Sequence, residues 1–248
     1  MKLPAGLAAV MLMTAGLAHA AEIKVLASAA VKTAYLEMQP AFERATGHRL
    51  DTVWIPTAEM AKRVGSGEAV DLVIMATDRI DELTQSGRIV AGSRVDLARS
   101  GVAVGVKAGA RKPDITTVDA LRRTILNAKS IGYSTGPSGN YIIALFEKLG
   151  VADQVKPKLK QTATGVFVGS IIASGEVEIG FQQVSELSQY EGVDYVGPLP
   201  AQVQNYTMFS SGILRNAKEA EAARALVRYI TSPQAGAVYR KRGMEPAS

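Results

Sequence analysis

Two long runs of β-type residues, 101–107 and 206–214, constrain the fold of this chain more than any other feature. Before the first run and between the two, short apolar strand patterns alternate with segments whose apolar residues recur at helical spacing. Alternation of this kind, with few hairpin signals, is typical of doubly wound, mostly parallel sheets. The two runs bracket a self-contained α/β unit, which predicts a chain that crosses into a second lobe and returns.

We therefore expect an α/β fold of two lobes, each with a doubly wound, mostly parallel sheet, joined by two hinge crossings. Residues 21–100 and 205–248 are predicted to form lobe I, and residues 101–204 to form lobe II. The length of 248 residues, of which 47% are hydrophobic, is sufficient for two such cores. Open α/β sheets bind ligands where the carboxyl ends of strands meet helix N-termini, so the ligand is expected in the cleft between the lobes.

Residues 1–20 have the pattern of a secretory signal peptide. Lys2 supplies the charged start, residues 7–17 form an apolar run, and residues 18–20 read Ala-His-Ala, a small-x-small cleavage site. The apolar run is too short for a permanent anchor, and the chain contains no cysteine that could carry a lipid or form a disulfide. This pattern predicts cleavage after Ala20 and a mature protein in the periplasm.

The charge pattern argues against nucleic acid as a partner. The formal charge of +5 is spread thinly, and the longest basic run, residues 240–242, resembles a solvated helix end. No His or acidic cluster has metal-ligand spacing, and no glycine motif suggests a nucleotide. We therefore expect no cofactor and no metal, and we expect a monomer.

Residues 133–141, which read YSTGPSGNY, carry the strongest signal for a ligand site. They connect a short apolar strand to a helix and place Ser138 where a helix N-cap is expected. No acidic residue lies between Gly132 and Phe146, so the positive end of the helix dipole is not neutralised locally. Such a turn suits a small anion that is bound by backbone N–H groups and hydroxyls.

Similar strand-to-helix turns recur at 28–31, 56–59 and 164–166, and amides follow another strand at 182–183. If these turns converge on one cleft, they supply uncharged donors. The donor side chains are Ser28, Thr57, Ser134, Thr135, Ser138, Asn140, Thr164, Gln182 and Gln183. Lys32 either neutralises a multiply charged ligand or is a solvated surface lysine.

Five segments resemble the periplasmic molybdate-binding protein family of ABC transporters. They are ASAA at 27–30, KRVGSGEAVDLVI at 62–74, GPSGNY at 136–141, ASGEVEIGF at 173–181 and SPQA at 232–235. The resemblance covers essentially the whole mature chain. It implies a two-lobe type II periplasmic binding (venus flytrap) fold, delivery of a small anion to a membrane ABC permease, and no cofactor.

The resemblance also implies a set of ligand-binding positions. These are Ser28, Ala30, Thr57, Ser138, Gly139, Gly165, Val166 and Gln183. Gln183 stands where the family has a tyrosine that closes the site. Because amides pair with both donors and acceptors, the expected ligand is either a molybdate- or tungstate-like oxyanion or a small organic carboxylate.

The sequence is also similar to periplasmic aconitate isomerases of the same fold, which leaves an enzyme as the alternative. An allylic proton shift needs a base close to an acidic C–H and donors for the carboxylates. The candidate bases are Glu59 and Asp78, although each also suits a structural role in the first turn of a helix. Three functions therefore remain open: an importer's binding protein, an isomerase and a sensory binding subunit.

Overall fold

The structure is a computed structural model that describes residues 20–247. Apart from Ala20, the predicted signal peptide lies outside these residues. Within the described range the chain forms ten strands: β1 (Glu22–Ala27), β2 (Arg49–Trp54), β3 (Leu72–Ala76), β4 (Val95–Lys107), β5 (Ile131–Tyr133), β6 (Leu159–Gln161), β7 (Ile179–Gln183), β8 (Val193–Pro198), β9 (Tyr206–Ile213) and β10 (Glu245–Pro246).

The same range contains ten α-helices and three short 3-10 turns. The helices are α1 (Lys32–Thr46), α2 (Thr57–Gly65), α3 (Thr77–Gln85), α4 (Val118–Asn127), α5 (Pro137–Lys148), α6 (Ala152–Val155), α7 (Val168–Ala173), α8 (Val184–Leu187), α9 (Ala220–Ile230) and α10 (Pro233–Lys241). The 3-10 turns are Ala29–Val31, Lys156–Lys158 and Ala201–Val203. Among the described helices, none has both the length and the apolar character that crossing a bilayer requires.

Two groups of parallel strands form the framework. β1 pairs in parallel with β2 and with β3, and β5 pairs in parallel with β6 and with β7. Parallel neighbours need crossover connections, which α1 and α2 supply in the first group. The expected α/β fold with doubly wound parallel strands is therefore confirmed.

The long strands β4 and β9 join the two groups through antiparallel pairing. The strand order is β2-β1-β3-β9-β4-β7-β5-β6, with β8 and β10 also paired to β4. Residues 95–101 of β4 pair with β9, whereas residues 102–107 pair with β7 and β8. The partner of β4 thus changes between Gly101 and Val102. The limits of lobes I and II, at residues 100 and 205, stay predictions.

The hydrophobic core consists of several clusters. One contains Phe42 and Phe209 and packs α1, α9 and α10 against β1 and β3. Another contains Phe146 and Phe181, whose rings meet edge-to-face with centroids 5.9 Å apart. Edge-to-face pairs of this kind add to the free energy of burying each ring. Both groups of parallel strands therefore have their own packed interior.

Some element boundaries differ from expectation. β8 was not predicted, because it contains Asp194 and ends in Gly197 and Pro198, which are poor strand formers. Ser138 is not the N-cap of α5: Gly136 occupies that position and Pro137, with its fixed φ, begins the helix. The helix expected from residue 166 begins at Val168, after Gly165 with φ +82°.

Candidate functional site

A pocket of about 160 Å³ lies where the carboxyl ends of β1, β2, β5 and β7 meet. The turns that follow these strands line it, together with residues 165–167 and Glu186. Converging strand ends are the usual ligand-binding position in open α/β sheets. The lining combines hydroxyls, amides and backbone N–H groups with the aromatic rings of Trp54, Phe167 and Phe209.

Helix α2 contributes its first turn to this pocket. Pro56 occupies the N-cap position, and no side chain in the described part of the chain caps the helix. Thr57 is 6% exposed, and its Oγ1 has no hydrogen-bond partner among residues 20–247. A buried hydroxyl without a partner costs about 1–3 kcal/mol. The free hydroxyl and the positive helix end favour a bound anion at this position.

Helix α5 contributes a second uncapped first turn. Its N-cap, Gly136, receives no side-chain cap from the described residues. The Gly136 N–H donates to Ser134 Oγ at 3.2 Å, and Ser134 Oγ lies 3.3 Å from Ser138 Oγ. A Cβ on Gly139 would lie 1.8 Å from the Ser134 carbonyl oxygen, so only glycine allows this approach. The turn therefore depends on Gly139 for its shape.

Ser28 and Lys32 line the pocket from the end of β1. Ser28 Oγ accepts a hydrogen bond from the Ala30 N–H at 3.4 Å, which leaves the hydroxyl proton available to a ligand. Lys32 Nζ lies 5.7 Å from the centroid of the Trp54 ring, within cation–π range. In the described lining of the pocket, Lys32 supplies the positive charge.

The two glutamines at the end of β7 join elements of the fold. Gln182 Oε1 accepts from the Val168 N–H at 2.8 Å and thereby caps α7. Gln183 is 2% exposed, and its amide is oriented so that Oε1 accepts from Thr207 Oγ1 at 3.0 Å. Its Nε2 donates to the carbonyls of Ser100 and Gly101 at 2.9 and 3.2 Å. Gln183 therefore links β7 to both long strands as well as lining the pocket.

Seven of the eight predicted ligand-binding positions line this one pocket. They are Ser28, Ala30, Thr57, Ser138, Gly165, Val166 and Gln183. Gly139 does not line the pocket and instead contacts the Ser134 backbone. The role of each of these residues in holding a ligand stays a prediction.

The candidate bases Glu59 and Asp78 lie outside the pocket. Glu59 is two positions after Thr57 in α2, on a different side of the helix, where its charge acts on Arg63. The Asp78 side chain is 70% exposed, and its Oδ1 accepts from the Arg79 N–H at 2.9 Å. Neither carboxyl lines the pocket, and a role of either as a base stays a prediction.

The model of a family described as bacterial extracellular solute-binding protein matches residues 23–245. The chain belongs to this family. It is 35% identical over 230 residues to an aconitate isomerase from Pseudomonas sp., covering 90% of this chain and 87% of that protein. It is 27% identical over 232 residues to the molybdate-binding protein ModA of Azotobacter vinelandii, covering 91% of this chain and 90% of that protein.

The fold of this solute-binding protein is similar to that of solved periplasmic binding proteins. The periplasmic molybdate-binding protein of Azotobacter vinelandii superposes with a TM-score of 0.76 at 18% identity, covering 90% of this chain and 98% of the other. The expected resemblance to the molybdate-binding proteins and to aconitate isomerases, and the periplasmic binding fold, are thereby confirmed.

The pocket of the solute-binding protein also contains the carboxyl group of Glu186. This group was not predicted from the sequence. Burial raises the pKa of Glu186 to about 7, while hydrogen bonds from the Gln183 backbone and the Gln182 side chain act to lower it. Glu186 follows the strand-end N-cap Gln183 by three positions, which is the spacing of a capping box. The capping-box spacing of Gln183 and Glu186 is visible in the sequence, but it predicts the start of a helix and not a ligand site.

Proposed function

We propose that this solute-binding protein captures a small anion in the pocket at the ends of β1, β2, β5 and β7. The observation that carries the proposal is the buried, unpartnered hydroxyl of Thr57 at the uncapped start of α2. The uncapped start of α5, beside Ser138, supplies further N–H groups in the same lining. N–H and O–H groups that the fold holds in place can replace the water molecules around an anion without having to move.

We propose an organic anion with more than one carboxylate as the ligand class. Glu186 and Lys32 are the ionisable groups in the described lining. Trp54 and Phe167 offer apolar surface that suits a carbon skeleton. A molybdate- or tungstate-like oxyanion, which needs only donors, is the alternative that the titration below distinguishes.

We also propose the setting in which binding takes place. The signal-peptide pattern of residues 1–20 supports export to the periplasm with cleavage after Ala20. Membership of the extracellular solute-binding family supports a membrane ABC permease as the partner. The thinly spread charge supports a protein that does not bind nucleic acid and that works as a monomer.

The experiment that tests this proposal is calorimetric titration of the purified mature protein. The probes are cis-aconitate, trans-aconitate, citrate, molybdate, tungstate and sulfate. Saturable binding of a tricarboxylate supports the organic ligand class, whereas tight binding of molybdate alone assigns the pocket to a metal oxyanion. Binding of none of the six anions contradicts the proposal.

The second candidate function is isomerisation of an unsaturated tricarboxylate, as the name of the 35% identical relative suggests. The observation that favours it is the Glu186 carboxyl inside the pocket, with a pKa of about 7. A carboxylate would take a proton from the carbon next to a substrate carboxylate, the double bond would shift, and the proton would return to the other allylic carbon. A group with a pKa near the working pH can both accept and return that proton.

Ultraviolet-monitored interconversion of cis- and trans-aconitate tests the isomerase. Turnover that disappears in Glu186→Gln and persists in Glu59→Gln and Asp78→Asn supports it. Tight binding without turnover leaves the solute-binding function alone.

A further inference from the structure

Glu186 is the carboxyl group that lines the pocket. It lies in α8, next to the strand end that carries Gln182 and Gln183, and it shares the pocket with the rings of Phe167 and Phe209. Burial is the largest influence on its pKa, and the two hydrogen bonds that favour the carboxylate only partly offset it. Burial therefore favours the neutral carboxyl over the carboxylate in the unliganded protein.

The charged and titratable groups of the neighbouring elements have other partners. α8 packs against β4, β7, β8, α7 and the turn before α1. Among the ionisable side chains of these elements, Asp96 pairs with Arg94, Arg99 with Glu245, and Lys241 and Arg242 with Glu37. Asp194 accepts from the Gly109 N–H, Lys32 lies over Trp54, Lys107 lies beside Gly175, Tyr190 packs against Phe167, and Tyr195 is near Tyr206. Glu191, between α8 and β8, is exposed. Within the described chain, burial and the two hydrogen bonds from Gln183 and Gln182 are the causes that set the pKa of Glu186.

An anion that enters this pocket brings negative charge close to Glu186. Two negative charges in a partly dehydrated site repel each other, and protonation of one of the two groups removes this repulsion. A neutral carboxyl group has an O–H donor, which matches a ligand oxygen, whereas a carboxylate offers only acceptors. The protonated form of Glu186 is therefore the form that fits an anion.

We propose that Glu186 binds the ligand in its neutral form and donates a hydrogen bond to a ligand oxygen, so that capture of a fully ionised anion takes up a proton from water. This inference rests on the anion-binding function proposed above. In this role Glu186 determines specificity, because its O–H group favours ligands with an acceptor oxygen facing α8. It also makes the affinity depend on pH even when the charge of the ligand does not change.

The test is calorimetric titration at about pH 8, one unit above the pKa of Glu186, in two buffers with different ionisation enthalpies. The probes are trans-aconitate, citrate, molybdate and sulfate. For a probe that binds, we expect uptake of about one proton per ligand and a Kd that rises about tenfold for each pH unit above 7. Tight binding with no proton uptake overturns the inference and leaves the anion-binding function standing.

Glu186→Gln is the decisive variant, because an amide keeps the shape and a donor but does not titrate. We expect it to bind without proton uptake and with a Kd that does not change with pH. Glu59→Gln, the same chemical change outside the pocket, should behave as the unaltered protein does. If Glu186→Gln fails to fold, proton uptake by the unaltered protein still decides the question. Absence of binding by every probe overturns both proposals.

Proton uptake also separates the two candidate functions. An isomerase that uses Glu186 as its base needs the carboxylate in the bound state, so its turnover should rise as the pH passes the pKa of this group. A binding protein that uses the neutral carboxyl loses affinity over the same range. The two roles therefore predict opposite changes with pH, and measuring turnover and proton uptake on one sample distinguishes them.

Discussion

The side-chain amide of Gln204 bonds to both backbone groups of Val102, with Oε1 accepting from the N–H at 2.8 Å and Nε2 donating to the carbonyl at 3.0 Å. Val102 is the residue at which β4 changes partner from β9 to β7. The Gln204 amide thus makes the two backbone hydrogen bonds with Val102 that a neighbouring strand would otherwise make. It holds the chain segment before β9 against β4 at the crossing.

Replacing Gln204 with alanine should weaken this crossing. Loss of two hydrogen bonds to a partly buried backbone predicts a decrease of about 1–3 kcal/mol in the free energy of unfolding. Urea denaturation followed by circular dichroism measures it. Gln202→Ala, an exposed glutamine two positions earlier, is the matched control and should change little. Equal stability of both variants would contradict the role assigned to Gln204.

Thr57→Val should affect stability and binding in opposite directions. Valine keeps the shape but removes the unpartnered hydroxyl, so the free energy of unfolding should stay constant or rise by up to about 1 kcal/mol. Anion affinity should fall about tenfold, because one hydrogen bond to the ligand is lost. Thermal unfolding and calorimetric titration of the same preparation give the two values.

Thr77→Val is the control for Thr57→Val, since Thr77 is also the first residue of its helix. The Thr77 hydroxyl is bonded to the Met208 carbonyl and to Ser210 Oγ. This variant should therefore lose stability and keep its affinity. A loss of affinity of the same size in both variants would show that the effect does not come from the pocket.

Gly139→Ala should destabilise the protein strongly. The added methyl group would collide with the Ser134 backbone, which cannot move without opening the turn, so we expect a loss of at least about 3 kcal/mol. At Gly136 the nearest atom to an added Cβ is Ser134 Oγ at 3.5 Å, an ordinary contact. Gly136→Ala should therefore cost less than about 1 kcal/mol. Differential scanning calorimetry of both variants compares them directly.

Stability should depend on pH through Glu186. Its pKa is about 7 in the folded protein and 4.5 as its ordinary value, so between these pH values the folded protein holds a proton that the unfolded chain has released. The stability contributed by this group is fully present below pH 4.5 and is lost as the pH rises through 7, by about 3 kcal/mol in total. Urea unfolding across this range should show that decline in the unaltered protein and its absence in Glu186→Gln.

The strand and helix rhythm could be predicted because it depends on local apolar periodicity. The long runs at 101–107 and 206–214 correspond to the second part of β4 and to β9. The turns that line the pocket could be predicted for a similar reason, since parallel strands bring their carboxyl ends to one edge. Ser28 and Ser138 come from distant parts of the chain and still line one pocket.

The character of Glu186 could not be predicted in the same way. Its raised pKa results from burial, and it lies in a pocket whose lining comes from distant parts of the sequence. Glu59 and Asp78, the candidates from the sequence, also follow strand ends. Only the packing of α8 separates a carboxyl inside the pocket from two outside it.

Strand β4 is one unbroken run of thirteen residues that serves two sets of neighbours. Because side chains alternate between the faces of a strand, deleting a single residue near Gly101 would turn every later side chain of β4 to the opposite face. Val102, Val104 and Val106, all buried, would exchange faces with their neighbours. We therefore expect the length of β4 to vary less than its sequence. Homologous chains should tolerate substitutions in this strand far better than insertions.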